Sequence, residues 1–235
     1  MRPVLTVRHV GKSFASEGDR ISVLHDISFS LDEGEMLGIV GVSGCGKSTL
    51  LRAMTGLDTP KKSRITLKGR ALSARERISR SALVMQDVNS QLFTDSVEEE
   101  LLLAWKGRCR REKTAGETRE KAAGEAAQRE IETLLQALGL AECKERHPMS
   151  LSGGQKQRLA LATCLLQDAN FFYFDEPTSG MDRKNMLRIA ALLKQQQRED
   201  RILFVVSHDT AFLQEVATEC LDLETFRERT AGSRN

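Results

Sequence analysis

The stretch that most constrains this sequence is a glycine-rich run, GVSGCGKST, at positions 41–49. It follows an apolar run at 36–40 that is typical of a buried strand and precedes an apolar run at 50–54 that is typical of a helix. Strand, glycine loop and helix with the spacing G-x-x-x-x-G-K-S form the P-loop pattern, in which backbone N–H groups surround phosphate oxygens. A glycine-rich turn with a chance lysine is the alternative. The residues predicted to form the loop are Gly41, Ser43, Gly44, Cys45, Gly46, Lys47, Ser48 and Thr49.

Two polar side chains in this run have the chemistry that a bound triphosphate needs. The Lys47 ammonium can neutralise the β and γ oxygens, and the Ser48 hydroxyl can hold Mg²⁺. Gly44 and Gly46 let the backbone approach the anion closely, and the helix that follows directs its positive end toward it. The stretch therefore predicts a site for a nucleotide with Mg²⁺.

Size and charge limit the class of protein. With 235 residues and 40% hydrophobic content, one domain with a subdomain can bury a sizeable core. The net charge of +2 is spread along the chain, so it favours neither nucleic acid nor an anionic membrane surface as a partner. No signal-like segment begins the sequence, and no apolar run approaches the roughly 20 residues that span a bilayer. We expect a cytoplasmic protein whose membrane role depends on partners.

The cysteines point to a reducing compartment. They are odd in number and lack C-x-x-C spacing, which favours reduced thiols over a disulfide framework or a zinc site. They are Cys45, Cys109, Cys143, Cys164 and Cys220.

The first part of the chain predicts a small antiparallel β layer. Segments 4–10 and 23–31 are rich in β-branched and apolar residues, and a turn-prone stretch separates them, with Phe14 just before it. Segments 64–67 and 82–85 predict further strands. The rest of the chain alternates helical patterns with short apolar runs, which indicates a parallel sheet with right-handed crossovers.

Several signals predict helices in the second half. Ser96 to Glu99 has the form of a capping box, and a charged stretch at 106–129 is interpreted as a solvated connector or the exposed end of a helical subdomain. Helices are also expected at 131–138, ending at Gly139, from the LSGGQ run at 151–155 to 166, and after Asp209. Another helical face comprises Met186, Ile189, Ala190 and Leu193.

Polar side chains follow the predicted parallel strands, where open α/β sheets place ligand-binding groups. Asp175 and Glu176 close the aromatic run at 171–174: the first could hold Mg²⁺ and the second could polarise water, although acidic residues also end strands for structural reasons. His208 follows another short apolar run, at 202–206, and could hydrogen-bond a γ-phosphate. Gln86 could position water or Mg²⁺. Each of these two also has an ordinary structural interpretation.

The LSGGQ run at 151–155 predicts a second anion-receptive helix terminus. Ser152 and Gln155 fit a capping box, and Gly153 and Gly154 expose the first amides of a helix. A plain helix cap is the alternative, although a double glycine is then a needless entropic cost.

Six motifs in one order resemble the nucleotide-binding subunit of ABC transporters across essentially the whole chain. The resemblance implies an α/β P-loop NTPase fold with a RecA-like parallel-sheet core, a small N-terminal antiparallel β layer and a helical subdomain. The single domain 1–235 would divide into an ATP-binding core, 1–95 and 168–235, and a helical subdomain at about 96–167. The motifs are GVSGCGKST, Gln86, LSGGQ, FFYFDE at 171–176, SGMD at 179–182 and His208.

The resemblance also implies roles and partners. Two subunits, identical or related, would close head to tail over two ATP molecules, so that LSGGQ of one completes the P-loop site of the other. Lys47, Ser48 and Thr49 would bind phosphates and Mg²⁺, with Asp175 and the Q-loop residue Gln86 also on the metal. Glu176 would be the general base, Asp182 a D-loop residue, His208 the switch histidine and Phe14 the aromatic that stacks on adenine. A core phenylalanine is the alternative for Phe14.

Within ABC proteins, three runs are most similar to the ATPases of energy-coupling factor transporters, which import vitamins or transition-metal ions. They are QDVNSQLFTDSVEEEL at 86–101, HPMSLSGGQKQR at 147–158 and SGMDRKNM at 179–186. Gln91, Leu92 and Phe93 would then help form the groove that receives a coupling helix of an integral membrane subunit at the cytoplasmic face. Two departures from that subfamily are the aromatic strand before Asp175 and the short stretch after the His208 helix. A soluble ABC ATPase acting on DNA or ribosomes, another ABC importer or exporter ATPase, and a regulatory module without turnover are the alternatives; no nucleic-acid partner is expected.

Overall fold

The computed structural model describes residues 4–16, 19–60, 62–111, 117–167 and 169–226. The strands are β1 (Leu5–Ser16), β2 (Asp19–Leu31), β3 (Met36–Val40), β4 (Arg64–Leu67), β5 (Arg70–Ala71), β6 (Ser81–Val84), β7 (Phe171–Asp175), β8 (Ile202–Val206) and β9 (Glu219–Asp222). The helices are α1 (Lys47–Thr55), α2 (Ala74–Ser79), α3 (Val97–Arg111), α4 (Glu117–Ala137), α5 (Gly153–Leu165), α6 (Arg183–Gln195) and α7 (Thr210–Val216).

The chain forms two compact units. The first comprises 1–81, 169–175 and 193–235, and the second comprises 82–168 and 176–192. The second unit thus holds all of the predicted helical subdomain and, in addition, the segments before α3 and around the start of α6.

An antiparallel sheet in the first unit has the strand order β2-β1-β4-β5. The predicted strands at 4–10, 23–31 and 64–67 are confirmed, and β1 and β2 are longer than predicted because they continue toward the turn that joins them. Phe14 lies in this extension of β1, opposite Ile21 of β2.

A parallel sheet in the first unit has the order β7-β8-β3-β9. All five residues of β7 and of β8 are buried, as their continuous apolar runs predict for strands covered on both faces. Phe171 pairs with Ile202 and Asp175 with Val206, so the two strands end together. The carboxyl ends of β3, β7 and β8 therefore bring the glycine loop, Asp175 and His208 to one edge.

The second unit contains α3, α4 and α5. Ile131, Leu135 and Leu138 are buried, as their helical spacing predicts, and Gly139 ends the segment in a left-handed conformation with φ 64°. Arg108 pairs with Glu130 at 2.9 Å, and so joins α3 to α4. The charged stretch at 106–129 is helical over its described residues, which supports its interpretation as part of a helical subdomain.

Three of these strands and helices were not predicted, namely α2, β5 and β9. The short helix α2 begins with a complete capping box between Ser73 and Glu76, a signal that was present in the sequence. The edge strand β9 pairs with β3 but is largely exposed, so its sequence lacks the apolar run that marked the other parallel strands.

Candidate functional site

The glycine loop between β3 and α1 has a backbone that side chains would not allow. Gly41, Gly44 and Gly46 have φ values of 145°, 75° and 108°. A Cβ on Gly46 would lie 2.8 Å from side-chain atoms of both Val23 and Leu24, so these side chains would have to shift to accommodate it. Glycine at position 46 therefore lets the loop turn tightly into α1, whose first backbone N–H groups have no partner within the helix and no side-chain cap.

Lys47 lies inside this loop. Its side chain is buried, and its ammonium donates hydrogen bonds to the carbonyl oxygens of Gly41, at 2.8 Å, and Val42, at 3.1 Å. A buried ammonium at the N-terminus of a helix makes a concave, positively charged environment. Such an environment suits the phosphates of a nucleotide.

Asp175 forms the second part of the site at the end of β7. Burial raises the pKa of its carboxyl group above the ordinary value, while a hydrogen bond from Ser48 and the charges of Lys47 and His208 act in the opposite direction. The structure thus brings together Lys47, Ser48, Asp175 and His208, as the sequence predicted. A carboxylate beside a hydroxyl supplies the oxygen ligands that Mg²⁺ prefers, so these residues fit the ion.

Phe14 is on the surface of the first unit. Its side chain is 44% exposed, and the Lys12 ammonium lies 5.3 Å from the ring centroid. The alternative of a core phenylalanine is therefore wrong. An exposed ring on β1 remains compatible with stacking on a base, and that role stays a prediction.

The predicted capping box of the LSGGQ run is present in the second unit. The Gln155 N–H donates to Ser152 Oγ at 3.3 Å, and the Ser152 N–H donates to Gln155 Oε1 at 2.9 Å. Gly153 and Gly154 form the first turn of α5 behind this cap. The helix terminus is thus ordered by its own side chains and retains amides that an anion could bind.

Glu176, also in the second unit, has an unusual backbone. It adopts a left-handed conformation with φ 53°, which is rare for residues other than glycine and is concentrated at functional sites. Its carbonyl oxygen accepts hydrogen bonds from Gln157 Nε2 and the Ser179 N–H, both at 3.2 Å. Gln157 was not predicted from the sequence, where its only signal is a polar residue on the apolar face of α5.

The other predicted site residues of this unit also have defined environments. Asp182 Oδ1 accepts from the Asn185 N–H at 2.8 Å at the start of α6. Gln86 is exposed and lies two residues beyond the end of β6, as predicted.

Comparison with known proteins identifies the family. A family model described as ABC transporter matches residues 24–179, well over half of the chain. The chain belongs to the ABC transporter family. Members of this family bind ATP with Mg²⁺ and hydrolyse ATP, so the family assignment agrees with the ligands that the loop and Asp175 suit.

Curated relatives carry related names. A Treponema denticola protein named as an ABC transporter ATP-binding protein is 38% identical over 94% of this chain and 42% of its own length. A Bacillus subtilis protein named as an HMP/thiamine import ATP-binding protein is 31% identical over 92% of this chain and 39% of its own length. The chain thus spans about two fifths of the length of the first curated relatives it matches.

Solved structures confirm the ABC ATPase fold. A dimeric post-hydrolysis structure of the ATP-binding cassette MJ0796 bound to ADP and Pi has a TM-score of 0.78, 25% identity and 93% coverage of both chains. The structure of cbiO1 from Clostridium perfringens, part of the transporter complex cbiONQ, has a TM-score of 0.71 and 23% identity, and the match covers 99% of this chain and 95% of that one. Within the described ranges, no helix of this chain has both the length and the apolar character needed to cross a bilayer.

Proposed function

We propose that this chain is an ATP-hydrolysing subunit that energises a membrane transporter, as an importer subunit of the energy-coupling factor type. The observation that carries the proposal is the cluster of Lys47, Ser48, Asp175 and His208 at one edge of the parallel sheet. These groups combine a phosphate-binding cation, two Mg²⁺ ligand types and an imidazole that could sense a γ-phosphate.

Each residue then has one task in hydrolysis. Lys47 and the loop amides bind the β and γ oxygens, and Ser48, Asp175 and Gln86 would hold Mg²⁺, which neutralises charge on the phosphates. Glu176 accepts a proton from the attacking water, and His208 hydrogen-bonds the γ-phosphate. The remaining nucleotide contacts are Phe14 on adenine and Ser43, Cys45 and Thr49 in the loop.

A second subunit completes the site. The start of α5, which the Ser152–Gln155 cap orders, carries the Gly153 and Gly154 amides, and these would stabilise charge on the γ-phosphate bound by an opposed chain. Asp182 would lie in the contact between the two subunits. Closure on ATP and reopening after hydrolysis would drive the membrane partner. The partner ATPase is an identical or related chain.

The membrane partner would dock on the segment after β6, at the cytoplasmic face. The structure refines the expectation for its three candidate residues: Leu92 is 2% exposed, and Gln91 uses its amide to bind the backbone at Leu83 and Met85. Phe93, which is 72% exposed, is the residue that can present its side chain. Names of relatives that mention thiamine import and cbiONQ support a vitamin or transition-metal ion as the cargo class.

A glutamine substitution tests the hydrolytic assignment. Glu176→Gln keeps the side-chain shape but removes the proton acceptor, so ATP should bind with unchanged affinity while turnover falls by about 100-fold or more. The measurements are ATP titration and steady-state phosphate release. Glu142→Gln on the exposed turn after α4 is the matched control and should hydrolyse as wild type. Wild-type turnover in Glu176→Gln would remove this residue from the base role.

The opposed-subunit assignment has its own test. Ser152→Arg removes the cap and adds bulk at a contact that only an opposed subunit would use, so hydrolysis should stop while the monomer binds ATP normally. A wild-type rate would show that no opposed subunit takes part. Membrane subunits that co-purify in detergent would support transport, whereas bound nucleic acid would support the soluble alternative.

A further inference from the structure

Glu100, in the first turn of α3, is a buried carboxylate that the proposed chemistry does not use. Its side chain is 2% exposed. One oxygen, Oε2, accepts hydrogen bonds from the Phe93 N–H at 3.0 Å and the Thr94 N–H at 3.1 Å. It also lies 2.9 Å from the Thr94 hydroxyl, whose single proton it shares with the Ser96 carbonyl oxygen. All three donors are neutral and belong to one short turn before the helix.

The location of Glu100 at a helix start does not by itself explain its burial. Glu98, Glu99 and Glu100 all lie in the first turn of α3, where negative charge is favourable. Glu99 is exposed, and Glu98 pairs with Lys144 at 3.0 Å. Only Glu100 of the three turns inward onto the preceding segment. Burying a carboxylate costs free energy that its hydrogen bonds must offset, so a specific role for these contacts is the simplest explanation.

The segment that Glu100 holds is also fixed at its other end. Gln91 Nε2 donates to the Leu83 carbonyl at 2.9 Å, and Gln91 Oε1 accepts from the Met85 N–H at 2.8 Å. The single turn of 3-10 helix at Val88–Gln91 is thus tied to β6, while Phe93 and Thr94 are tied to α3.

Between these two attachments lies an apolar surface. Phe93 is 72% exposed, the largest exposed fraction among the large apolar side chains of the described ranges, and Leu103 on α3 is 52% exposed. Both line a cavity of about 270 Å³ whose wall combines apolar side chains with polar ones, Glu100 among them. An exposed aromatic side chain on a fixed backbone turn, beside a cavity with apolar walls on one side, has the character of an interface hot spot.

We propose that Glu100 is a positioning residue that holds the turn at Phe93 and Thr94, and thereby presents Phe93 in a fixed orientation to the membrane subunit. This inference rests on the proposed function, because it takes the membrane subunit as the occupant of this surface. Fixing the turn before binding lowers the entropic cost of docking, so loss of the Glu100 contacts weakens binding without touching the nucleotide.

The test begins with the complex isolated from its native membrane through a tag on this chain. The membrane subunits that co-purify with the wild-type chain are then separated from the ATPase subunits and reconstituted in lipid vesicles. Purified variants of this chain are titrated onto these vesicles, and their binding affinity is measured. Glu100→Ala and Phe93→Ala should each bind about tenfold or more weakly, the range of a hot-spot side chain. ATPase activity of the isolated chain should stay within about twofold of wild type, since neither residue is placed among the nucleotide contacts.

A graded series separates positioning from folding. Thr94→Val keeps both backbone contacts to Glu100 and removes the hydroxyl contacts to Glu100 and to the Ser96 carbonyl oxygen, and Glu100→Gln keeps the shape with a neutral acceptor. Both variants should therefore fall between wild type and Glu100→Ala. Amide hydrogen exchange at Phe93 and Thr94 should accelerate in the same order. Glu99→Ala, one residue away and exposed, should bind as wild type. Ile131→Val shortens a buried side chain of α4 and should lower the free energy of unfolding while the chain still binds as wild type. If Glu100 acted only through stability, Glu100→Ala and Ile131→Val would weaken binding in proportion to their loss of stability.

Each result either supports or overturns the positioning role of Glu100. If Glu100→Ala fails to fold, the Thr94→Val, Glu100→Gln and Phe93→Ala variants carry the test. Wild-type affinity in Phe93→Ala, or in Glu100→Ala with accelerated exchange at the turn, overturns the inference. If the wild-type chain retains no membrane subunit, the proposed transport function fails and this inference fails with it.

Discussion

Replacing Gly46 with alanine isolates the steric requirement of the phosphate loop. Gly46 has φ 108°, outside the left-handed region that alanine can reach, and an added Cβ would lie 2.8 Å from side-chain atoms of Val23 and Leu24 and 3.2 Å from the Val23 carbonyl oxygen. Gly44 in the same loop is the matched control. Its φ is 75°, and no atom lies within 4 Å of an added Cβ.

The two substitutions should therefore differ in free energy of unfolding. Strain at a positive φ costs about 1–3 kcal/mol, and overpacking against β2 adds about 1–3 kcal/mol. Gly46→Ala should lose about 3 kcal/mol or more, because both terms apply, whereas Gly44→Ala should lose about 1 kcal/mol from strain alone. The entropy that alanine removes from the unfolded chain is the same for both variants and cancels in the comparison.

Urea unfolding without nucleotide, followed by circular dichroism, measures both values. An unchanged slope of free energy against urea would show that the variants share the wild-type unfolding reaction. Losses of equal size in the two variants, or a larger loss in Gly44→Ala, would refute the argument that packing against Val23 and Leu24 dictates glycine at position 46.

Two further predictions follow from buried ionisable groups. Burial raises the pKa of the Asp175 carboxyl above its ordinary 3.8. The folded state therefore favours the protonated carboxyl, and this contribution to stability is present at low pH and is lost as the pH rises through the raised pKa. Asp175→Asn should therefore raise the urea midpoint at pH about 7 while removing Mg²⁺-dependent ATP binding, and a lower midpoint would contradict this. Tyr173, the one tyrosine of the chain, is buried and stacks on Phe204 at 4.7 Å, and burial raises the pKa of its hydroxyl. Its ultraviolet absorbance should show no phenolate at pH about 11 in the folded protein and full ionisation in urea; a phenolate signal before unfolding would contradict its burial.

The predictable parts of the site were those that local chemistry specifies. The glycine spacing dictated the turn into α1, the apolar runs dictated β7 and β8, and Ser152 with Gln155 dictated a capped helix. Because parallel strands that pair in register end together, the run before Asp175 and the run before His208 also predicted that these residues meet at one edge.

Other features depended on which distant segments cover a residue. Phe14 could have been core or surface from its sequence, and only the sheet β2-β1-β4-β5 leaves it exposed. The edge strand β9 carries no apolar run, because its pairing with β3 supplies hydrogen bonds rather than burial.

The sequence by itself determined the family of the chain and the chemistry of its nucleotide groups, because the P-loop spacing, the strand-end carboxylates and the LSGGQ cap act through neighbouring residues. The tertiary structure alone decided that Leu92 is buried while Phe93 is exposed, and that Glu100 rather than Glu98 or Glu99 turns inward. The physical reason is that burial and hydrogen-bond partners depend on segments that are brought together in space. Three successive glutamates cannot be told apart in the sequence, and only the fold places one of them against the turn before α3.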